Sequence, residues 1–249
     1  MTAFGVRALS GIPEIHPGED LAGVLAAALA GARPAPGAVL AIAHTVVSKA
    51  EGAVVELDTV EPGARARELA AEQRKDPRLV QVVLDQAAEV LRAERGVLIA
   101  RTHHGFVCAN AGVDVSNAGA SGRAIVLPSD PDASARAIRA RLDGSPPPAV
   151  VVTDSFGRAW RHGQVDVAIG LAGLQALDDW RGRTDAEGTE LQATWLAVAD
   201  AIAAAADLAR AKDSREPVVL IEGLERFVTA EDGPGASGLV RALGEDLFR

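Results

Sequence analysis

Gly96-Val97-Leu98-Ile99-Ala100-Arg101-Thr102-His103-His104-Gly105-Phe106-Val107-Cys108-Ala109 is the stretch on which the fold class turns. Residues 96–102 and 106–109 read as two strands, and His103-His104-Gly105 leaves room for nothing between them but a turn. Strands joined so closely pair as neighbours, whereas a repeated parallel crossover would need about a dozen or more residues between them. The class this favours is α+β, with mixed or antiparallel sheets and flanking helices.

The rest of the chain adds strands and helices without strict alternation. Residues 20–32, 64–75 and 77–95 have helical spacing, the last with Pro77 in its first turn. Residues 38–47 read as a strand entering a loop, 123–127 and 165–171 as strands, and 217–221 as a late strand. Ser129-Asp130-Pro131-Asp132 caps a helix running through Arg141. Residues 191–212 form a long alanine-rich helix. No internal repeat is visible, and the Pro/Gly-rich patches at 31–37, 145–148 and 233–238 are too short to link domains. Residues 1–249 therefore read as a single unit, with room for subdomains.

Two polar clusters interrupt this framework. Thr153-Asp154-Ser155-Phe156-Gly157-Arg158-Ala159-Trp160-Arg161-His162-Gly163-Gln164 follows the apolar run 149–152 and is read as a loop past a strand end. Asp154 there could hold a divalent cation while Arg158 and Arg161 face anionic groups. Upstream lies Asn110-Ala111-Gly112-Val113-Asp114-Val115-Ser116-Asn117. Magnesium or manganese takes oxygen ligands, and carboxylates from two separate loops could supply them, with water and phosphate completing the shell. Taken singly, each cluster has a plainer explanation: Asp154 as a turn cap, Asp114 and Asn117 as an Asx-type turn. Together they point to a metal-and-phosphate site, and so to an enzyme.

Composition narrows the field. The chain of 249 residues is 48% hydrophobic, enough for a sizeable core. Its longest apolar candidate, 196–211, is broken by Asp200 and Asp207, so no membrane span is expected. The N-terminus lacks a secretory pattern, and the single Cys108 rules out an internal disulfide or a cysteine-built zinc site. Cytoplasm is the default compartment. A net charge of −9 argues against nucleic acid, though not against a nucleotide held by a local cationic cluster.

Lysine occurs only at 49, 75 and 212. Lys49, in His44-Thr45-Val46-Val47-Ser48-Lys49-Ala50-Glu51-Gly52, follows an apolar run and could meet phosphate oxygens, although the glycine spacing of a Walker loop is missing. A solvated lysine is the alternative. His103 and His104 suit a polar turn better than a metal pair. Cys108 suits a packed small hydrophobe, residues 199–206 a helix-packing surface, and Trp195 the same core.

In this order the segments resemble a known family. Gly11-Ile12-Pro13-Glu14-Ile15, 47–52, 109–117, 128–132, 153–163, 167–173, Ala199-Asp200 and Pro217-Val218-Val219 are similar to the coenzyme F420-0:L-glutamate ligase (F420:gamma-glutamyl ligase) family, over almost the whole chain. The resemblance implies a GTP-dependent ligase. It would add L-glutamate to the deazaflavin precursor F420-0, then further γ-linked glutamates, through an acyl phosphate. It also implies Mg2+ or Mn2+, with K+ as a further cation, and a homodimer.

Carried onto matching positions, the resemblance makes Asp114 and Asp154 metal ligands, with Ser155 where the family commonly has threonine. Lys49, Asn117, His44, Thr45 and the loop Ile12, Pro13, Glu14, Ile15 become GTP contacts, Glu14 departing from an apolar residue. Arg210, Ala211, Lys212 and Asp213 fall where the family wraps the nucleotide. Some relatives have a glutamine there that assists a metal, which a protonated Lys212 cannot do. Nothing in the chain provides the C-terminal flavin domain of some relatives. A different nucleotide-dependent amide ligase, such as an ATP-grasp-like enzyme, and a non-catalytic GTP- or metal-binding regulator are the competing readings.

Overall fold

A computed structural model describes residues 4–116 and 122–246. In chain order the elements are β1 (Gly5–Ala8), α1 (Leu21–Ala32), β2 (Val39–Ala43), α2 (His44–Ala50), β3 (Val54–Glu56), α3 (Ala64–Gln73) and α4 (Pro77–Gln86). There follow β4 (Ala87–Glu94), β5 (Val97–Thr102), β6 (Val107–Ala109), β7 (Arg123–Ile125), α5 (Pro131–Arg139), β8 (Ala149–Arg158) and β9 (Arg161–Ala172). β10 (Leu177–Asp179), β11 (Trp195–Ala197), α6 (Val198–Ala209) and β12 (Val218–Glu222) complete it, interspersed with short 3-10 turns.

The central sheet has five strands in the order β1-β12-β2-β8-β9. Only β2 and β8 pair in parallel; the other neighbours are antiparallel. β2, β12 and the first four residues of β8 (149–152) are apolar at almost every position because both sheet faces are covered there. Leu40, Ile42, Val150, Val152, Val218 and Leu220 join the core under α1, α2 and α5. Val39, Ala41, Ala149, Val151, Val219 and Ile221 point to the opposite core, under α6. Val198, Ala199, Ile202, Ala203 and Ala206 make the buried stripe of α6, its alanines small enough for the helix to lie close on the sheet. On the other face α5 presses on β9: a Cβ at Gly170 would stand 2.3 Å from the Pro131 carbonyl oxygen.

A second body of structure is made largely of residues 54–125. The three-stranded sheet β4-β5-β6 packs on α3 and α4 through Leu69, Val80, Val83 and Leu98, and β3 pairs with β7 beside it. The α+β class follows from this mixture, and the 96–109 hairpin is present as β5 and β6, with Ala100 opposite Cys108.

Several elements depart from the sequence reading. The helix expected over 77–95 stops at Gln86, and residues 87–94 become β4, because the edge of β5 offers a hydrogen-bonding partner that outweighs their helical propensity. The strand expected to run to Val47 ends at Ala43; residues 44–50 coil into α2 and bury Val46 and Val47 in the core. The long terminal helix is confined to 198–209, since 195–197 pair with β10. Trp195 is 50% exposed, with the Arg181 guanidinium 4.1 Å from its ring centroid, so it is no core residue.

The largest correction concerns 153–164. It is a continuation of β8, a two-residue turn at Ala159-Trp160, and the start of β9, rather than a loop. Cross-strand pairing runs from Val150↔Ala172 to Arg158↔Arg161. β2 accompanies β8 only as far as Ala43↔Thr153, so beyond Thr153 the hairpin overhangs the sheet.

Candidate functional site

Parallel strands that end together leave a crevice beyond their carboxyl ends, where the chain turns away to either side. Here β2 turns into α2 and β8 runs on as the hairpin, and a cleft of ≈ 620 Å³ opens between them. Its walls come from the N-terminal loop (12–15), the start of α2, the 108–116 turn, the hairpin and the 210–217 segment after α6.

Asp154 is fixed by its own strand. Its Oδ1 accepts the Ser155 backbone N–H at 2.8 Å and lies 3.4 Å from Nε2 of His44. His44 is buried, with Nδ1 3.3 Å from Ser48 Oγ, so it stands behind Asp154 and braces the carboxylate. Nearby, burial and the Asp154 charge push the Cys108 thiol up to about 12, which leaves it inert as a nucleophile and in its packing role.

Asp114 reaches the same cleft by another route. Its backbone bridges Ile125 through reciprocal hydrogen bonds of 2.9 and 2.7 Å, and its Oδ1 accepts from Ser116 N and Oγ, both at 2.7 Å. The turn before it takes Asn110, Ala111 and Gly112 through φ of 52°, 51° and 73°. A Cβ at Gly112 would come within 2.8 Å of the Leu127 side chain, so glycine is demanded by shape as well as by φ.

Lys49, in the last turn of α2, lines the cleft and donates to Glu14 Oε1 at 2.5 Å. That hydrogen bond is the main cause holding the Glu14 carboxyl below its ordinary 4.5, against the opposing effect of burial. An anion reaching Lys49 therefore competes with Glu14 for the ammonium. Among the sequence candidates, Ile12, Pro13, Glu14, Ile15, His44, Thr45, Lys49, Asp114, Asp154, Ser155, Arg210, Ala211 and Lys212 all line this one cleft. Asn117 lies outside the described residues, and Asp213 is not part of the lining.

Arg158 and Arg161 lie apart from this cleft. They face each other at the tip of the hairpin, four strand residues beyond Asp154 or about 13 Å, and neither lines the cleft. Arg158 donates to the His162 carbonyl oxygen at 2.7 Å. The sequence reading took 153–164 as a loop past a strand end; as an extended hairpin it carries the two arginines away from Asp154.

The sequence reading missed three residues. Asp166 is fully buried behind Ser155, and Arg215 lines the cleft. Asn110 also lines it and carries a buried Oδ1 without a hydrogen-bond partner among the described residues. Asp166 had one visible signal, an acid at an alternating position inside an apolar strand; Asn110 had its place at the head of the polar cluster 110–117, where it was given no role, and Arg215 had none.

The donor set can be tested against a divalent ion. Among the described residues no three His, Cys, Asp or Glu side chains are grouped to hold a metal by themselves. Two carboxylates line one cleft, however, and Ser155 lines it too. That set fits a hard ion of the magnesium type, which takes one or two carboxylates and completes its shell with water and substrate phosphate. It does not fit a dedicated protein cage. Among the described residues no helix is long and apolar enough to cross a membrane.

Comparison with known proteins places the chain. A family model described as F420-0:Gamma-glutamyl ligase matches residues 11–223. A protein of Methanopyrus kandleri named coenzyme F420:L-glutamate ligase is 44% identical over 240 residues, covering 95% of this chain and 94% of that protein. Proteins of the same name from Methanothermobacter thermautotrophicus and Halobacterium salinarum are 39% and 42% identical, covering 97% and 100% of this chain and 97% and 96% of their own lengths.

Proposed function

This chain belongs to the F420-0:gamma-glutamyl ligase family, and from that premise we propose that it joins L-glutamate to the carboxylate of the deazaflavin precursor F420-0 at the expense of GTP. One observation carries the reading of the site: Asp114 and Asp154, 40 residues apart and on different bodies of structure, line a single cleft with Lys49.

A carboxylate does not condense with an amine in water, because its oxygen is a poor leaving group. In the proposed reaction a carboxylate oxygen of the acceptor attacks the γ-phosphorus of GTP, and GDP departs. The glutamate amine, having lost a proton, then attacks the acyl carbon and phosphate leaves. Acceptor carboxylate, GTP and glutamate thus yield amide, GDP, phosphate and a proton. Further γ-linked additions repeat the cycle on the new terminus.

The protein's part is positioning and charge stabilisation. Asp114, Asp154 and Ser155 would hold Mg2+ or Mn2+, which supplies Lewis-acid neutralisation of crowded phosphate charge. Lys49, exchanging Glu14 for a phosphate, adds a point charge that the ammonium can deliver without geometric constraint. The loop at 12–15 and the segment at 210–217 provide walls for the base and ribose. Cys108 takes no part.

Mass spectrometry of the product formed from GTP, glutamate, F420-0 and a divalent metal tests the proposal. A mass gain of one or more glutamyl units, stoichiometric with GDP, is expected. GDP formation that ignores the acceptor, or nucleotide binding without turnover, would leave the regulator reading in its place.

A further inference from the structure

Behind Ser155 stands Asp166 on β9, 1% exposed, to which the reaction above gives no role. Ser155 and Asp166 are cross-strand partners, and Thr153 faces the neighbouring position on the same side of the hairpin. Asp166 Oδ1 bonds Ser155 Oγ at 2.6 Å; Oδ2 bonds Thr153 Oγ1 at 2.9 Å and the Arg210 guanidinium. Lys212 Nζ lies 3.8 Å from Oδ1.

The chemistry of these groups fixes where the protons are. A carboxylate in an ion pair only accepts, and ammonium and guanidinium only donate. Ser155 Oγ therefore donates its hydrogen to Asp166 and accepts from Lys212 Nζ at 2.9 Å. Thr153 Oγ1 likewise donates to Asp166 and accepts from Arg210 at 2.8 Å. Without an acceptor behind it, the Ser155 hydroxyl would be free to rotate and donate to an anion in the cleft. With Asp166 in place, its lone pairs face outward and receive a cation.

The two cations differ in how firmly they are held. Arg210 is 9% exposed and also donates to the Pro217 carbonyl oxygen at 3.0 Å. Lys212 is 68% exposed, and its remaining close partner is Asp207 at 2.8 Å. Moving Lys212 off Ser155 costs little, whereas moving Arg210 would strand a buried carboxylate.

We propose that Asp166 is a positioning residue: by taking the hydroxyl proton of Ser155 it turns Oγ into a lone-pair donor toward the cleft. Lys212 is the resident cation of that place and yields it to the divalent ion when nucleotide phosphates enter. The inference rests on the nucleotide-ligase reading, but its test needs no turnover.

Mn2+ is titrated into the protein with GDP present and acceptor absent, and binding is followed by electron paramagnetic resonance. Lys212→Met should bind Mn2+ about threefold or more tightly, its competitor gone. Ser155→Ala should bind it about tenfold or more weakly, and the Lys212→Met/Ser155→Ala double variant no tighter than Ser155→Ala. Asp166→Asn should match the Ser155→Ala loss without adding to it in the double variant, while Ser155→Thr keeps the wild-type affinity.

A Lys212→Met protein with unchanged or weaker Mn2+ binding overturns the proposal, as does additivity between Asp166→Asn and Ser155→Ala, the mark of a merely structural carboxylate. Should Asp166→Asn fail to fold, the Lys212 and Ser155 variants still decide. Wild-type protein that binds no GDP at all would instead refute the nucleotide reading itself.

Discussion

Asp154, Ser155 and Asp166 stand on paired strands, their side chains braced by His44, Arg210 and one another. Across the cleft Asp114 follows a turn in which two non-glycine residues, Asn110 and Ala111, are held at positive φ. A residue in that conformation costs roughly 1–2 kcal/mol relative to ordinary backbone. The strand wall is pre-organised by cross-strand register, so ligand binding need not rearrange it. The turn wall is held in shape against local preference and has an Asn110 Oδ1 without a partner among the described residues, so it has more to gain from a ligand. Glu14 on Lys49 belongs to this second kind of wall, an exposed contact ready to be exchanged.

The contrast can be broken most directly at Asp154. Asp154→Asn should fold normally, by circular dichroism and melting temperature, yet lose metal-dependent GDP release by about two orders of magnitude or more. Near-normal release with F420-0 and glutamate present would remove Asp154 from the site. Asp114→Asn should cost less, about tenfold, and excess Mn2+ should recover part of it because that wall can adjust. Equal, unrecoverable losses at the two aspartates would show that the walls do not differ in the way their geometry indicates.

Glu14→Gln sharpens the comparison through pH. The lowered pKa of Glu14 means that its pair with Lys49 is intact above the ordinary carboxylate value of 4.5 and lost as pH falls through the depressed value. At pH 7 the variant should bind GDP about twofold to fivefold more tightly, by fluorescence titration, because Lys49 no longer has a competitor. The advantage should disappear once acid has protonated Glu14 in the wild type. An advantage that persists into acid would place the effect elsewhere. The smallest change is expected at the hairpin tip: Arg158→Ala and Arg161→Ala should leave kcat and KM for every substrate within about threefold, as exposed charges outside the cleft do. A larger loss would show that the tip meets an anionic group after all.

Much of this was legible in the residues. Asp130 caps α5, accepting from Ala133 N at 2.9 Å as the Ser-Asp-Pro-Asp spacing indicates. The apolar runs at 39–42, 149–152 and 218–221 are buried strands because no other element hides four consecutive apolar side chains on two covered faces. Asp114, Asp154 and Lys49 could be named from the company they keep. By contrast, the periodicity of 87–94 fits a helix well enough, and only the free edge of β5 turns it into a strand. The same limit applies to Arg158 and Arg161, whose distance from Asp154 depends on whether the twelve residues 153–164 fold up or extend.

The sequence by itself determined the α+β class, the buried strands, the family and the acids and lysine of the cleft, because these follow from local pattern and residue chemistry. Tertiary structure alone decided that 153–164 is a hairpin and that Asp166 stands behind Ser155. It also decided that Lys49 and Lys212 are already engaged by Glu14 and Ser155. Each of those facts depends on which groups meet across long separations in the chain, and hydrogen-bond polarity acquires a direction only once both partners are in place.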